Sequence, residues 1–164
     1  SDVYKRQTYF SAGRLQRRSG IEGCPMGTNQ SRRTKVLDVS ADYYEKNASE
    51  FVEATVNVDM TKLYEPFLSL IPPGGRILDA GCGSGRDAAA FLSAGLYVEA
   101  FDASPAMATY ASEKTGMKVR VCQFSDIKDV ESFDGIWACA SLLHVPRDNL
   151  TSVLRGLVLS LIHI

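Results

Sequence analysis

Only four cysteines occur in the 164 residues, and no two are spaced as Cys-x-x-Cys, which argues against a structural zinc site and against a disulfide framework. Cys24, Cys82, Cys122 and Cys139 read instead as reduced thiols, so a cytoplasmic protein with no bound metal is expected. Histidine is scarcer still, with two residues, His144 and His163. No run of about eighteen apolar residues exists, and no transmembrane helix is indicated. A charged start followed by a short apolar stretch, the pattern of a secretory leader, is missing as well. There is no internal repeat and no low-complexity tract, and the length allows one domain with a real core.

What is present is concentrated between Arg76 and Asp102. The stretch opens with a short apolar run ending in Asp79 and passes through Gly81, Gly83 and Gly85. It continues as an alanine-rich helical pattern and closes on a second apolar run ending in Asp102. Strand, glycine turn, helix and strand in that order make a βαβ unit suited to a nucleotide-like ligand. Glycines in the turn bring backbone close to a ligand with no Cβ in the way. The helix that follows offers its amide-rich N-terminus to the same place. The dinucleotide fingerprint Gly-x-Gly-x-x-Gly is not met, because Arg86 stands where the third glycine belongs.

Asp79-Ala80-Gly81-Cys82-Gly83-Ser84-Gly85 resembles motif I of the class I methyltransferases that use S-adenosylmethionine (SAM), and Asp102 at the end of the next strand strengthens the match. The resemblance implies a Rossmann-like doubly wound α/β sheet with strand order 3-2-1-4-5-7-6, of which this chain supplies strands one to four. It implies that Asp79, Gly81, Cys82, Gly83 and Gly85 surround SAM and that Asp102 accepts hydrogen bonds from its ribose hydroxyls. Cys82 is expected to matter through its backbone. Ser125 and Asp126, after strand three, fall where the family hydrogen-bonds the adenine amino group; a plain turn capped by Asp126 is the alternative. The run from Phe133 to Pro146 is similar to the strand-four motif of bacterial small-molecule methyltransferases, which brings Ala140 beside the methionine part of the cofactor.

Two absences in that motif narrow the acceptor. Amino-directed DNA methyltransferases carry Asn/Asp-Pro-Pro-Tyr/Phe after strand four, where Ala140-Ser141-Leu142-Leu143 stands; cytosine-C5 enzymes carry Pro-Cys, whereas here Cys139 precedes Ala140. A small-molecule acceptor, attacked at oxygen, nitrogen or sulfur, is the expectation. His144, just past strand four, is the candidate general base or a pocket-lining residue. Tyr43 and Tyr44 on an N-terminal helical lid are candidates to close over SAM or simply to pack. A SAM-binding protein without catalysis and an NAD-dependent oxidoreductase are the alternatives; SAM turnover and NADH binding discriminate them.

The termini carry a different signal. The codons TCA GAT GTG TAT AAG AGA CAG would encode Ser1–Gln7, and the reverse complement of that DNA would translate into the residues of Leu159–Ile164. The DNA resembles the transposon end used to fragment DNA for sequencing, so residues 1–7 and 159–164 are expected to be adaptor read-through. Residues 8–37 are then a disordered or upstream-translated lead-in, with Met26 a plausible start. Domain organisation follows as a methyltransferase domain over residues 38–158, truncated, and a chain expected to aggregate or pack loosely and to be inactive by itself. Residues 8–35 hold six cations and one acid; with that +5 and the +1 of residues 1–7 removed from −1 overall, the remainder carries −7. A body of that sign is a poor match for a phosphate backbone.

Read in order, the chain predicts helical spacing over Asp38–Thr55 and a helix over Asp59–Ile71 that kinks at Pro66 or starts later. A strand from Arg76, a helix over Asp87–Ala94 and a strand over Tyr97–Phe101 follow. Next come a helix capped by Ser104-Pro105 and closed by Gly116, strands over Lys118–Cys122 and Phe133–Ala140, and a last helix from Pro146. The apolar stripe of that helix is Leu150, Val153, Leu154, Leu157 and Val158.

Overall fold

The computed structural model describes residues 46–162; Tyr43, Tyr44, the basic lead-in and both extreme ends lie outside them. Two short helices, α1 (Ala48–Thr55) and α2 (Thr61–Leu68), precede β1 (Arg76–Ala80), α3 (Arg86–Ser93), β2 (Tyr97–Asp102), α4 (Pro105–Thr115), β3 (Arg120–Val121), β4 (Gly135–Trp137) and α5 (Arg147–Leu159). Single 3-10 turns at Phe124–Asp126 and Leu142–His144 follow β3 and β4. No helix among the described residues is long and apolar enough to cross a membrane.

The four strands form one parallel sheet in the order β3-β2-β1-β4. Residues 77–80 of β1 are all buried, as a central parallel strand covered on both faces demands. Alternation along the strands then sorts the core. Leu78, Ala80 and Phe101 meet Val153 and Leu157 of α5 on one face. Ala100 meets Ala108 and Ala111 of α4 on the other. Fully buried Phe91 of α3 sits among Tyr64, Phe67 and Trp137, with ring centroids 5.2–5.6 Å from its own. Burying such a ring contributes about 2–3 kcal/mol. The chain runs outward from β1 to β3 and then returns to the far side of β1 as β4. The switch point, where α/β sheets bind ligands, therefore lies between β1 and β4.

Helix ends follow the sequence signals closely. The Ser104 hydroxyl accepts the Met107 amide at 3.3 Å, Pro105 opens α4, and Gly116 closes it at φ +71°. Asp59 accepts the Thr61 amide at 2.9 Å and starts α2, which is shorter than the apolar spacing indicates and carries Pro66 inside it. Proline has no N–H to give the preceding turn, so the helix runs through Pro66 with one hydrogen bond fewer and ends two residues later.

Strands three and four are also shorter than expected. Beyond Trp137 the backbone turns through Ala140 at φ +53°, which no strand tolerates. Before Gly135, Phe133 pairs in parallel with Leu161. The carbonyl of fully buried Ser160 accepts the amides of Ser132 and Phe133, at 2.9 and 3.0 Å. Residues 159–162, set apart from the fold in the sequence reading, thus lie along the chain that leads into β4. Two of the five residues of the α5 stripe are buried: Val153 and Leu157 are 6% exposed, Leu150 is half-buried, and Leu154 and Val158 are 42% and 44% exposed.

Candidate functional site

A cavity of about 850 Å³ opens at the carboxyl ends of β1, β2 and β4. Gly81, Cys82, Gly83, Asp102, Ser125, Ala140 and His144 all lie on its wall. The volume is that of a small-molecule or cofactor pocket.

The turn after β1 is built from backbone. The amides of Gly81 and Cys82 both donate to the Phe101 carbonyl at 3.0 Å, and the Gly83 amide donates to Asp102 Oδ2 at 2.8 Å. All three glycines have positive φ, between +52° and +77°, which side chains rarely adopt. Their missing Cβ atoms serve three different neighbours. A Cβ on Gly85 would lie 2.9 Å from Ala111 Cβ, so this glycine permits α4 to pack and does not line the cavity. On Gly81 it would lie 2.5 Å from Ser141 Cβ. On Gly83 it would approach only Phe51 of α1, at 3.4 Å, and Gly83 and Phe51 face the cavity together.

Asp102 anchors the turn and faces the cavity at once. Its Oδ2 takes the Gly83 amide and its Oδ1 the Ser104 amide at 2.9 Å, and the Ala103 amide also bonds the carboxylate, so that of its roughly four acceptor sites at least one is left over. Burial pushes its pKa up, against the opposing pull of the Ser104, Gly83 and Ala103 amides and of His144. A vicinal diol is the natural complement of such a carboxylate.

Other sequence-singled residues sit elsewhere. Asp79 is 2% exposed and off the cavity wall; its Oδ2 has no hydrogen-bond partner. Burial first, and the neighbouring Asp87 carboxylate second, hold its pKa well above the ordinary range. Asp126 is off the wall too: its Oδ2 accepts the Gln123 amide at 3.0 Å and closes its own turn. Gln123, Phe124 and Ser125 face the cavity in its place. His144 and half-buried Cys139 are on the wall; burial pushes the Cys139 thiol up.

One constellation escaped the sequence reading. Asp87, 6% exposed, receives Tyr64 Oη and Arg86 Nε on Oδ1, and Trp137 Nε1 on Oδ2 at 2.8 Å. Burial opposes its charge, yet the Arg86, Tyr64 and Trp137 hydrogen bonds hold its pKa below the ordinary carboxylate range. Arg86 also donates to the Thr55 carbonyl at 3.2 Å. One carboxylate thereby ties α1, α2, α3 and β4 together beside the cavity. The only legible signal was an acid in the first turn of a helix, which the macrodipole explains without a site.

A family model described as "Methyltransferase domain" matches residues 77–161. The structure is similar to a TehB-like SAM-dependent methyltransferase from Corynebacterium glutamicum, at 23% identity and TM-score 0.59, over 75% of this chain and 67% of that one. It is similar to magnesium protoporphyrin IX methyltransferase from Synechocystis, solved with bound SAM, at 18% identity and TM-score 0.60, over 81% and 74%. A third likeness is to 1,6-didemethyltoxoflavin-N1-methyltransferase from Burkholderia thailandensis, solved with bound 1,6-didemethyltoxoflavin and S-adenosylhomocysteine. There identity is 23% and TM-score 0.60, over 84% of this chain and 63% of that one. At these identities the likeness is one of fold. No curated protein matches the sequence.

Proposed function

The chain belongs to the methyltransferase domain family, and from that premise we propose that it holds SAM in the cavity at the ends of β1, β2 and β4 and directs its methyl group to a small-molecule nucleophile. The observation that carries the reading is Asp102: a carboxylate at the end of β2, fixed by backbone amides and with acceptor capacity left over, on the wall of a cavity of about 850 Å³. The residues present fit the cofactor in kind. Asp102 suits the ribose diol, and the Cβ-free face of Gly83 admits a ligand against the backbone. Ser125 and Gln123 offer polar groups, and Met107, Cys122, Phe124 and Val153 an apolar edge, for the adenine.

Bound SAM supplies a sulfonium leaving group, so the protein need contribute chiefly alignment and exclusion of water. Phe51 and Thr55, held over the glycine turn through Arg86, cover the cavity from the side of α1. His144 takes the proton released by the acceptor, and Ala140 and Cys139 form the wall beside it. The acidic body disfavours nucleic acid as acceptor, and the reduced thiols suit the cytoplasm. Two of the three similar structures have names or bound ligands that specify small molecules, which supports an acceptor of that size.

Calorimetry with SAM and S-adenosylhomocysteine tests the reading: micromolar binding is expected, and NADH should not bind, since Arg86 fills the place of the third dinucleotide glycine. No heat with either sulfur ligand would end it.

A further inference from the structure

We propose that Ser141 is a positioning residue that sets the floor of the crevice between β1 and β4 and so fixes the cavity wall from Ala140 to His144. The proposal rests on the reading of this cavity as the SAM site. The register of β1 and β4 ends at Asp79 and Trp137, and beyond it the two strands part at the switch point. Ser141 spans the gap. Its Oγ donates to the Ala80 carbonyl at 2.6 Å, and the residue is 8% exposed. The contact is reciprocal, because a Cβ on Gly81 would lie 2.5 Å from Ser141 Cβ. The main chain of Ser141 serves the other flank, accepting the His144 amide at 3.2 Å and starting the turn that carries the imidazole.

Ala140, immediately before it, holds φ +53°. A non-glycine residue stays in that conformation only when its surroundings over-determine it, and the best-defined tether next to Ala140 is the Ser141 clasp. Gly81, Ala140, Ser141 and His144 all face the cavity. The absence of a side chain at Gly81 is therefore explained by Ser141 before any ligand is considered.

Affinity for S-adenosylhomocysteine, measured by calorimetry well below every variant's thermal midpoint, separates positioning from stability. Ser141→Ala should stay folded and bind about tenfold more weakly, the effect of one lost buried hydrogen bond. Gly81→Ala should weaken binding at least as much by displacing Ser141. Adding Ser141→Gly to it should recover the part of the loss that the collision causes, leaving the part caused by a side chain at φ +77°. This pair decides the matter should Ser141→Ala fail to fold. If wild type binds and Ser141→Ala matches it within twofold, or if the double variant binds no better than Gly81→Ala, Ser141 does not position the site. A wild type that does not bind would overturn the SAM reading itself and this proposal with it.

Discussion

At the scale of single residues, Asp102 carries two duties that a substitution separates. Asp102→Ala should cost about 1–3 kcal/mol of SAM binding, the range for a hydrogen bond to a charged acceptor. Asp102→Asn should also weaken it, because its amide nitrogen would meet the N–H of Gly83 or Ser104, donor against donor. Calorimetry showing either variant as tight as wild type would remove Asp102 from the ligand. Gly83→Val should abolish binding, since a β-branched residue at φ +52° is strained and its side chain enters the cavity beside Phe51. Asp87 gives a pH signature. Its folded pKa is lowered, so the stability it confers is present above the ordinary carboxylate pKa and is lost as pH falls through the folded value. Trp137, the only tryptophan, donates to that carboxylate, and its fluorescence should change in that acid window.

Elements dock through the same carboxylate. Tyr64→Phe keeps the rings around Phe91 but removes one donor from Asp87, so α2 should loosen and stability fall by about 1–3 kcal/mol in urea titration. The acid transition of Trp137 should then move to higher pH, because one contribution that lowers the Asp87 pKa is gone. In α5, Gly156 has nothing within 4 Å of its Cβ position and an ordinary φ. Gly156→Ala should therefore raise stability by about 0.5–1 kcal/mol, read as a higher thermal midpoint.

For the molecule as a whole, β4 is an edge strand of the described sheet, and Leu154, Val158 and Leu159 of α5 are 42–56% exposed. Short and apolar as that edge is, it offers pairing groups, and the exposed α5 residues add uncovered hydrophobic surface. We expect the chain to self-associate at micromolar concentration, and Val158→Lys to shift it toward monomer in sedimentation velocity. A monodisperse monomer with a sharp thermal transition would rule this out.

The sequence by itself determined the sheet and the turn. Local signals sufficed there: apolar runs in β1 and β2, three glycines between them, Ser104-Pro105 and Gly116 around α4. The resemblance they carried set the order β3-β2-β1-β4. Individual roles at the site depended on neighbours distant in the chain, and only the tertiary structure decided them. Gly81, Gly83 and Gly85 look alike in sequence, yet the first answers to Ser141, the second to the cavity and Phe51, and the third to Ala111. Asp126 was the candidate at the adenine, with the Ser125 or Phe124 backbone beside it; that its carboxylate accepts the Gln123 amide within its own turn is visible only in the structure. Asp87 met Tyr64 and Trp137 across separations of 23 and 50 residues, which no periodicity or spacing rule spans. Backbone conformation is written in short windows of sequence; which buried polar groups meet is fixed only when the helices close on the sheet.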